Sequence, residues 1–120
     1  MKTILPDTNI ILWTFNGGPH FKDEIERIAP HYKIRIPSCI ISELKKLNNK
    51  QSKAALQLCE NIETINIGEG YADKMLITAA RKGYLIATND KEILKELKEE
   101  KINALRIREK NKLMYTEGEI

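Results

Sequence analysis

The sequence contains no apolar run long enough to cross a membrane. A membrane-spanning helix needs about 20 consecutive apolar residues, whereas the apolar stretch near the start is interrupted by Pro6, Asp7 and Asn9. We therefore expect neither a signal peptide nor a membrane anchor.

Residues that bind soft metal ions are scarce. The chain has two cysteines and two histidines. Cys39 and Cys59 fall in apolar helical patterns, and His20 and His31 fall in loop or helix-end positions without ligand spacing. We therefore expect buried free thiols in a reducing cytoplasm, surface histidines and no zinc site.

Several enzyme motifs are missing as well. The sequence has no Ser-His-Asp grouping, no Walker phosphate loop and no dinucleotide-binding glycine fingerprint. What it does have is 42% apolar and 31% charged residues with few glycines and prolines, which is typical of a packed globular chain. A length of 120 residues suits one domain, so we predict a single domain over residues 1–120.

Short apolar strands alternate with amphipathic helices along the chain. Strands are predicted at 3–6, 33–37, 64–67, 84–88 and 104–107, with a basic tail after the last. Helices are predicted at 9–15, 21–29, 51–61, 71–82 and 91–100, and a further helix is capped by Ser38 and ends near residue 48. Gly83 is expected to terminate the helix at 71–82. This alternation predicts an α/β fold, a three-layer sandwich around a mostly parallel five-stranded sheet.

Acidic residues follow the ends of these predicted strands. Asp7 comes directly after the first strand, and Asp90 comes shortly after the fourth. Glu43 lies in the helix after the second strand, and Asp73 opens the helix after the third. Because ligands bind beyond the carboxyl ends of parallel strands, the four carboxylates are expected to converge at one edge of the sheet.

Each acid also has a simpler explanation. Asp7 and Asp90 occupy helix N-cap positions, where an acid stabilises the helix by about 0.5–2 kcal/mol. Glu43 is compatible with a solvated helix surface. Asp73 shares a helical face with Leu76 and would be buried there, and a carboxylate buried on that face would need a partner for its charge. The simpler explanation is an acid in the first turn that the helix dipole stabilises.

Considered together, the four acids require a compensating charge. Close carboxylate pairs repel by about 4 kcal/mol at an effective dielectric constant of about 20. Protonation of one acid would relieve this, but hard divalent cations such as Mg²⁺ or Mn²⁺ prefer oxygen ligands and suit the whole cluster. Such a cation activates water and neutralises charge on a phosphodiester, so phosphodiester hydrolysis is the predicted chemistry.

Four short motifs together resemble those of the PIN-domain nucleases. They are Ile-Leu-Pro-Asp-Thr-Asn at 4–9, Ser-Glu-Leu at 42–44, Ala-Asp at 72–73 in a small-residue helix, and Thr-Asn-Asp at 88–90. Their order and spacing agree over nearly the whole chain. The resemblance implies a PIN-like fold and a Mg²⁺- or Mn²⁺-dependent endoribonuclease acting on single-stranded RNA, with Asp7, Glu43, Asp73 and Asp90 as catalytic metal ligands.

Polar neighbours of these acids look like the supporting residues of that family. They are Thr8, Asn9, Thr88 and Asn89. In the family such residues orient carboxylates and metal-bound waters, a role common around metal sites. The same residue types also begin helices in ordinary proteins, so both interpretations stay open here.

The resemblance also bears on partners and cellular role. The segment 105–117 looks more like short archaeal proteins related to ribosome-processing PIN nucleases than like VapC-type toxins. A cytoplasmic homodimer is expected. A role in processing a ribosomal RNA precursor, a toxin ribonuclease with an antitoxin partner, and an inactive RNA-binding or ribosome-assembly scaffold remain alternatives. A phosphate-transfer module of the haloacid-dehalogenase sort is disfavoured because position 9 is Asn rather than Asp.

Binding of RNA would depend on basic residues around the acids, since phosphate contacts supply most non-specific affinity. The formal net charge of +3 permits such a partner without identifying one. Two basic groups stand out in the sequence: Lys45, Lys46, Lys50 and Lys53, and Arg106, Arg108, Lys110 and Lys112. The first group is expected to be ordinary solvated charge, and the second is the better candidate for RNA contacts.

Overall fold

A computed structural model describes residues 2–117, and residues 1 and 118–120 of the predicted domain lie outside this range. The elements in chain order are β1 (Thr3–Pro6), α1 (Thr8–Trp13), α2 (Phe21–Ile28), β2 (Lys33–Ile34), β3 (Ile36–Pro37), α3 (Ser38–Leu47), α4 (Lys50–Cys59), β4 (Thr64–Ile65), α5 (Ala72–Arg81), β5 (Leu85–Ala87), α6 (Lys91–Glu99), β6 (Leu105–Arg108) and β7 (Lys112–Tyr115).

Five strands form the main sheet in the order β2-β1-β5-β6-β7. The first four are parallel to one another, and β7 runs antiparallel to β6. Helices flank this sheet, and β3 and β4 form a separate two-stranded parallel sheet. The predicted α/β fold with a mostly parallel five-stranded sheet is therefore confirmed.

The membership of the main sheet differs from the prediction in one strand. The predicted strand 64–67 pairs outside the main sheet, and its place is taken by β7, which lies in the predicted basic tail. The turn before β7 contains neither Gly nor Pro. Instead Glu109 and Lys110 adopt positive φ angles of 55° and 67°, a conformation that hairpin turns usually obtain from Gly or Asn. The two positions of positive φ therefore carry no conventional turn residue.

The predicted strand 33–37 is divided at Arg35. The Arg35 N–H donates to the carbonyl of Ile4 in β1, whereas the N–H of Ile36 donates to the carbonyl of Glu63. The chain thus exchanges one strand partner for another within two residues. This change of partner places β3 and β4 outside the main sheet.

The predicted helices are all present, with ends within two residues of those expected. One cap differs: Pro37 is the N-cap of α3 without a side-chain hydrogen bond, and Ser38 is the first helical residue. Gly83 follows the C-cap of α5 with φ +104°, as expected for a terminating glycine. Cys39 is half-buried, Cys59 is buried, and both are free thiols.

The strand β1 lies at the centre of the fold and positions the site. All four of its residues are buried. Its neighbours are β2 on one side and β5 on the other, so the chain reverses its direction of travel across the sheet at β1, where open α/β sheets bind ligands. Pro6 pairs with Ala87, so the carboxyl ends of β1 and β5 lie side by side.

No helix in the described part of the chain is long and apolar enough to span a bilayer.

Candidate active site

The four predicted acids line a single cleft at the carboxyl edge of the main sheet. The cleft has a volume of about 490 Å³, and its walls include Asp7, Glu43, Asp73 and Asp90. These acids come from the end of β1, from α3, and from the starts of α5 and α6. Four separate parts of the chain thus bring carboxylates to one place.

Asp7 is the buried acid of the cleft, with a relative exposure of 7%. It follows β1 directly and caps α1, where its Oδ1 accepts a hydrogen bond of 2.8 Å from the Thr8 N–H. Its Oδ2 accepts a hydrogen bond of 2.6 Å from the Thr88 hydroxyl. Both carboxylate oxygens are therefore held in fixed positions.

Burial raises the pKa of Asp7 above its ordinary value. The hydrogen bonds from Thr88 and Thr8 oppose this shift, while the negative charges of Glu43 and Asp90 raise the pKa further. The mutual repulsion expected from the sequence is thus present around Asp7. A cation in the cleft would favour the ionised carboxylate.

Asp90 combines the two roles that the sequence left as alternatives. It is the N-cap of α6, and its Oδ1 accepts hydrogen bonds from the N–H groups of Glu92 at 2.9 Å and Ile93 at 3.2 Å. It also lines the cleft and is half-buried. Capping fixes Oδ1 and leaves Oδ2 without a hydrogen bond among the described residues. A carboxylate that caps a helix can therefore also bind a ligand through its second oxygen.

The predicted supporting residues form a network beneath these acids. Thr88 is fully buried, and its hydroxyl accepts from the Asp90 N–H at 3.1 Å while donating to Asp7. The Asn9 Oδ1 accepts from the Asn89 N–H at 3.0 Å, and the Asn9 Nδ2 lies 3.5 Å from Asp7 Oδ2. Thr88 and Asn9 therefore contribute side chains to the network, and Asn89 contributes its backbone.

Glu43 and Asp73 stand at the open side of the cleft, and both are exposed. The expectation that Asp73 would be buried on the apolar face of its helix is wrong. It lies in the first turn of α5, and burial of that face begins one turn later at Leu76. Its Oδ1 accepts a hydrogen bond of 3.1 Å from the Lys74 N–H.

The donor set of the cleft fits a hard divalent cation in its chemistry. Within residues 2–117 no three acidic, histidine or cysteine side chains lie close enough together to surround one ion. The cleft nevertheless offers four carboxylates and no sulfur or imidazole ligand. The buried hydroxyl of Thr8 is a further oxygen that lacks a partner in the described part of the chain. Such an all-oxygen set suits Mg²⁺ or Mn²⁺.

Two large exposed side chains, which have no strong sequence signal, lie at the cleft and at a groove beside it. Leu47 is 45% exposed and lines the cleft, and Tyr71 is 77% exposed and lines the adjoining groove beside Lys46. The two cavities share Glu43 in their walls. Exposed apolar groups concentrated at one place commonly mark a binding surface. The only sequence signal for Tyr71 is an aromatic residue directly after a glycine turn.

Comparisons with known proteins agree with this architecture. Residues 4–110 match the profile of the family described as "PIN like domain". The chain is 32% identical to Ribonuclease VapC4 of Methanocaldococcus jannaschii, in an alignment covering 92% of this chain and 93% of that protein. Among solved structures, the PIN domain endonuclease Utp24 has the same fold, with a TM-score of 0.80 and 22% identity over 95% of this chain and 90% of that one.

Proposed function

The chain belongs to the PIN-like domain family, and on this premise we propose that it is a Mg²⁺- or Mn²⁺-dependent endoribonuclease that hydrolyses single-stranded RNA. The observation that carries the proposal is the meeting of Asp7, Glu43, Asp73 and Asp90 in one cleft at the carboxyl edge of the sheet. The relative with 32% identity is named a ribonuclease, which supports RNA as the substrate.

An inactive RNA-binding scaffold on the same fold is a weaker proposal. The charges of Glu43 and Asp90 raise the pKa of buried Asp7, so the cluster disfavours the ionised form of its own central acid. A scaffold gains nothing from such repulsion, whereas a cation-binding site uses it.

The four acids would hold the cation, with Asp7 as the best-ordered ligand. When bound, the cation lowers the pKa of a coordinated water and neutralises charge on the phosphodiester. Thr88 and the Thr8 N–H orient the Asp7 carboxylate, and the N-terminus of α6 orients Asp90. The exposed Glu43 and Asp73 have freedom to adjust to an ion or a substrate.

The cellular role has two candidates. The similarity to Ribonuclease VapC4 favours a toxin ribonuclease that is held inactive by an antitoxin partner. Processing of a ribosomal RNA precursor, which segment 105–117 suggests, is the alternative. The two roles are distinguished by sequencing RNA ends in cells that express the native chain or Asp7→Asn. A toxin should cut RNA broadly or at a translation target, whereas a processing enzyme should cut a ribosomal RNA precursor. A homodimer and a cytoplasmic location also stay predictions.

The first test of the activity is cleavage of end-labelled single-stranded RNA with Mn²⁺ or Mg²⁺. We expect internal cuts that disappear with chelator. The cleavage rate should fall at least about 100-fold in Asp7→Asn, because loss of a metal ligand should cost more than loss of a residue that only orients one. Asp23→Asn, an identical change at an exposed residue of α2, is the matched control. Equal cleavage by both variants would show that the activity does not come from this cleft.

Metal binding has a separate readout. A ligand that binds only the folded state raises the free energy of unfolding by about 2.7 kcal/mol at 100 times its dissociation constant. We expect Mn²⁺ to raise the melting temperature of the native chain and of Asp23→Asn. The increase should be lost in Asp7→Asn, and an equal increase in all three would place the ion elsewhere.

A further inference from the structure

A groove lined by five basic side chains adjoins the acidic cleft. It lies between α6 and the β6–β7 hairpin and has a volume of about 620 Å³. Its basic residues are Lys91, Lys95, Lys98, Arg106 and Lys110. The acidic residue that accompanies them in the described part of the chain is Glu117 at its end. We call this cavity the lysine groove.

The helix α6 presents its three lysines to the groove as one row. Positions 91, 95 and 98 follow the spacing i, i+4 and i+7, which places them on one face of a helix over about 10 Å of its length. The acids Glu96 and Glu100 are turned toward Arg81 instead, at 3.4 Å and 2.8 Å. The helix thus separates its charges, with the cations collected on the groove side.

The cations of the lysine groove lack ion-pair partners in the described part of the chain. None of the five forms an ion pair with another residue in the range 2–117. Unpaired like charges in a concave wall produce a positive potential that attracts an anionic chain. The charges of the groove therefore favour the binding of a polyanion and do not stabilise the fold through ion pairs.

Consecutive residues at the start of α6 line the lysine groove and the acidic cleft. Asn89 and Lys91 line the groove, and Asp90 between them lines the cleft. An anionic strand whose reacting phosphate lies at the acids would have its neighbouring phosphates within reach of this groove. The acids themselves repel such a strand, so adjacent cations are needed to hold it.

From this continuity we propose that the lysine groove binds the backbone phosphates of single-stranded RNA on one side of the bond that is cut. The proposal rests on the proposed function and adds the path of the substrate. It also revises the sequence-based assignment of basic residues. Arg106 and Lys110 line the groove, whereas Arg108 lies 3.6 Å from the carboxylate of Glu109 and Lys112 is not part of the wall.

The test compares two double substitutions with the same change in net charge. Lys95→Gln with Lys98→Gln alters the groove, and Lys45→Gln with Lys53→Gln alters exposed lysines of α3 and α4. Both are made in Asp7→Asn and assayed with chelator, so that RNA is bound and not cut. Fluorescence anisotropy of a labelled single-stranded oligoribonucleotide gives the dissociation constant at several KCl concentrations.

Each phosphate contact to a single strand contributes about 0.7 to the slope of log affinity against log salt. We expect the groove substitutions to reduce the magnitude of that slope by about 1.4, and the control substitutions to leave it unchanged. Equal slopes for the two variants would overturn the proposal. A change of oligomeric state in light scattering without a change of slope would also overturn it, and would mark the groove as a protein interface.

Failure of the groove and failure of the catalytic proposal are separable. If the groove substitutions reduce the salt slope but the native chain never cuts RNA, the groove binds RNA and the nuclease activity is rejected. Metal-dependent cleavage together with unchanged slopes would retain the activity and reject the groove.

Discussion

The hydroxyl of Thr88 donates a hydrogen bond of 2.6 Å to Oδ2 of Asp7, joining residues 81 positions apart. The two residues meet because each directly follows one of two neighbouring parallel strands in register. The same hydroxyl accepts from the Asp90 N–H. One buried threonine thus orients the carboxylate of Asp7 and holds the backbone at Asp90.

Replacing Thr88 with Val should greatly reduce the catalytic activity while leaving the protein folded. The near-isosteric change removes the donor to Asp7, and loss of such a partner of a metal ligand typically costs about 10- to 100-fold in activity or metal affinity. Stability should fall by about 1–3 kcal/mol because the Asp90 N–H loses its acceptor. Thr88→Ser should restore kcat/KM, and Thr64→Val on the exposed surface of β4 is the control. Full activity in Thr88→Val would show that Asp7 needs no orienting partner.

Replacing Asp7 with Asn should stabilise the metal-free protein at neutral pH. The pKa of Asp7 is raised by burial, so the ionised form is less favourable in the folded than in the unfolded chain. This cost is fully present above the raised pKa and disappears below the ordinary value of 3.8. The stability gain of Asp7→Asn should therefore vanish as the pH falls through that range.

Urea unfolding in chelator at pH 7 and near pH 3 measures this difference, with Asp23→Asn as the control. A variant less stable than the native chain at pH 7 would contradict the argument, since the lost hydrogen bonds would then outweigh the relieved desolvation.

Glu24 should show the opposite pH dependence. This buried acid of α2 accepts from Arg27 Nε at 2.7 Å and from the Leu113 N–H of β7 at 2.6 Å. The hydrogen bond from Arg27, followed by that from Leu113, lowers the pKa of Glu24. Its contribution to stability is present above the ordinary value of 4.5 and is lost as the pH falls through the lowered pKa.

Two substitutions separate the contributions of Glu24. Glu24→Ala should cost about 1–3 kcal/mol because the N–H of Leu113 is left without its acceptor, while Glu26→Ala at the exposed surface should cost little. Glu24→Gln should be closest to the native chain at acid pH. Melting curves from pH 3 to 7 test both statements, and a pH-independent difference for Glu24→Gln would exclude the charge as its cause.

Tyr71 should strengthen the binding of single-stranded RNA. Its exposed ring borders the groove that shares Glu43 with the acidic cleft, and stacking of a base on an aromatic ring contributes about 1–3 kcal/mol. Tyr71→Ala in the Asp7→Asn background should weaken binding about 5- to 150-fold, and Tyr71→Phe should bind like the parent. With an oligoribonucleotide that is abasic at the stacking position, the parent and Tyr71→Ala should bind equally well. Unchanged affinity of Tyr71→Ala for the intact oligoribonucleotide would exclude a base at this surface.

Much of the site could be predicted because its signals are local. The apolar strand before Asp7, the apolar strand before Thr88 and Asp90, and the helical periodicity around Glu43 each follow from a few neighbouring residues. The rule that ligands bind at the carboxyl ends of parallel strands then placed the four acids at one edge. These features needed no knowledge of distant contacts.

The remaining features depended on packing between distant segments. The exposure of Asp73, the pairing of β3 with β4 and the hairpin formed by β7 are decided by which element covers which surface. The lysine groove likewise joins α6 to the β6–β7 hairpin, and its lysines were not distinguishable from solvated charge in the sequence. The sequence by itself determined where strands and helices begin and which acids follow them, because these depend on short-range periodicity. Only the tertiary structure decided that Asp7 meets Thr88 and that five cations line one groove, because side chains far apart in the chain meet only after the sheet has assembled.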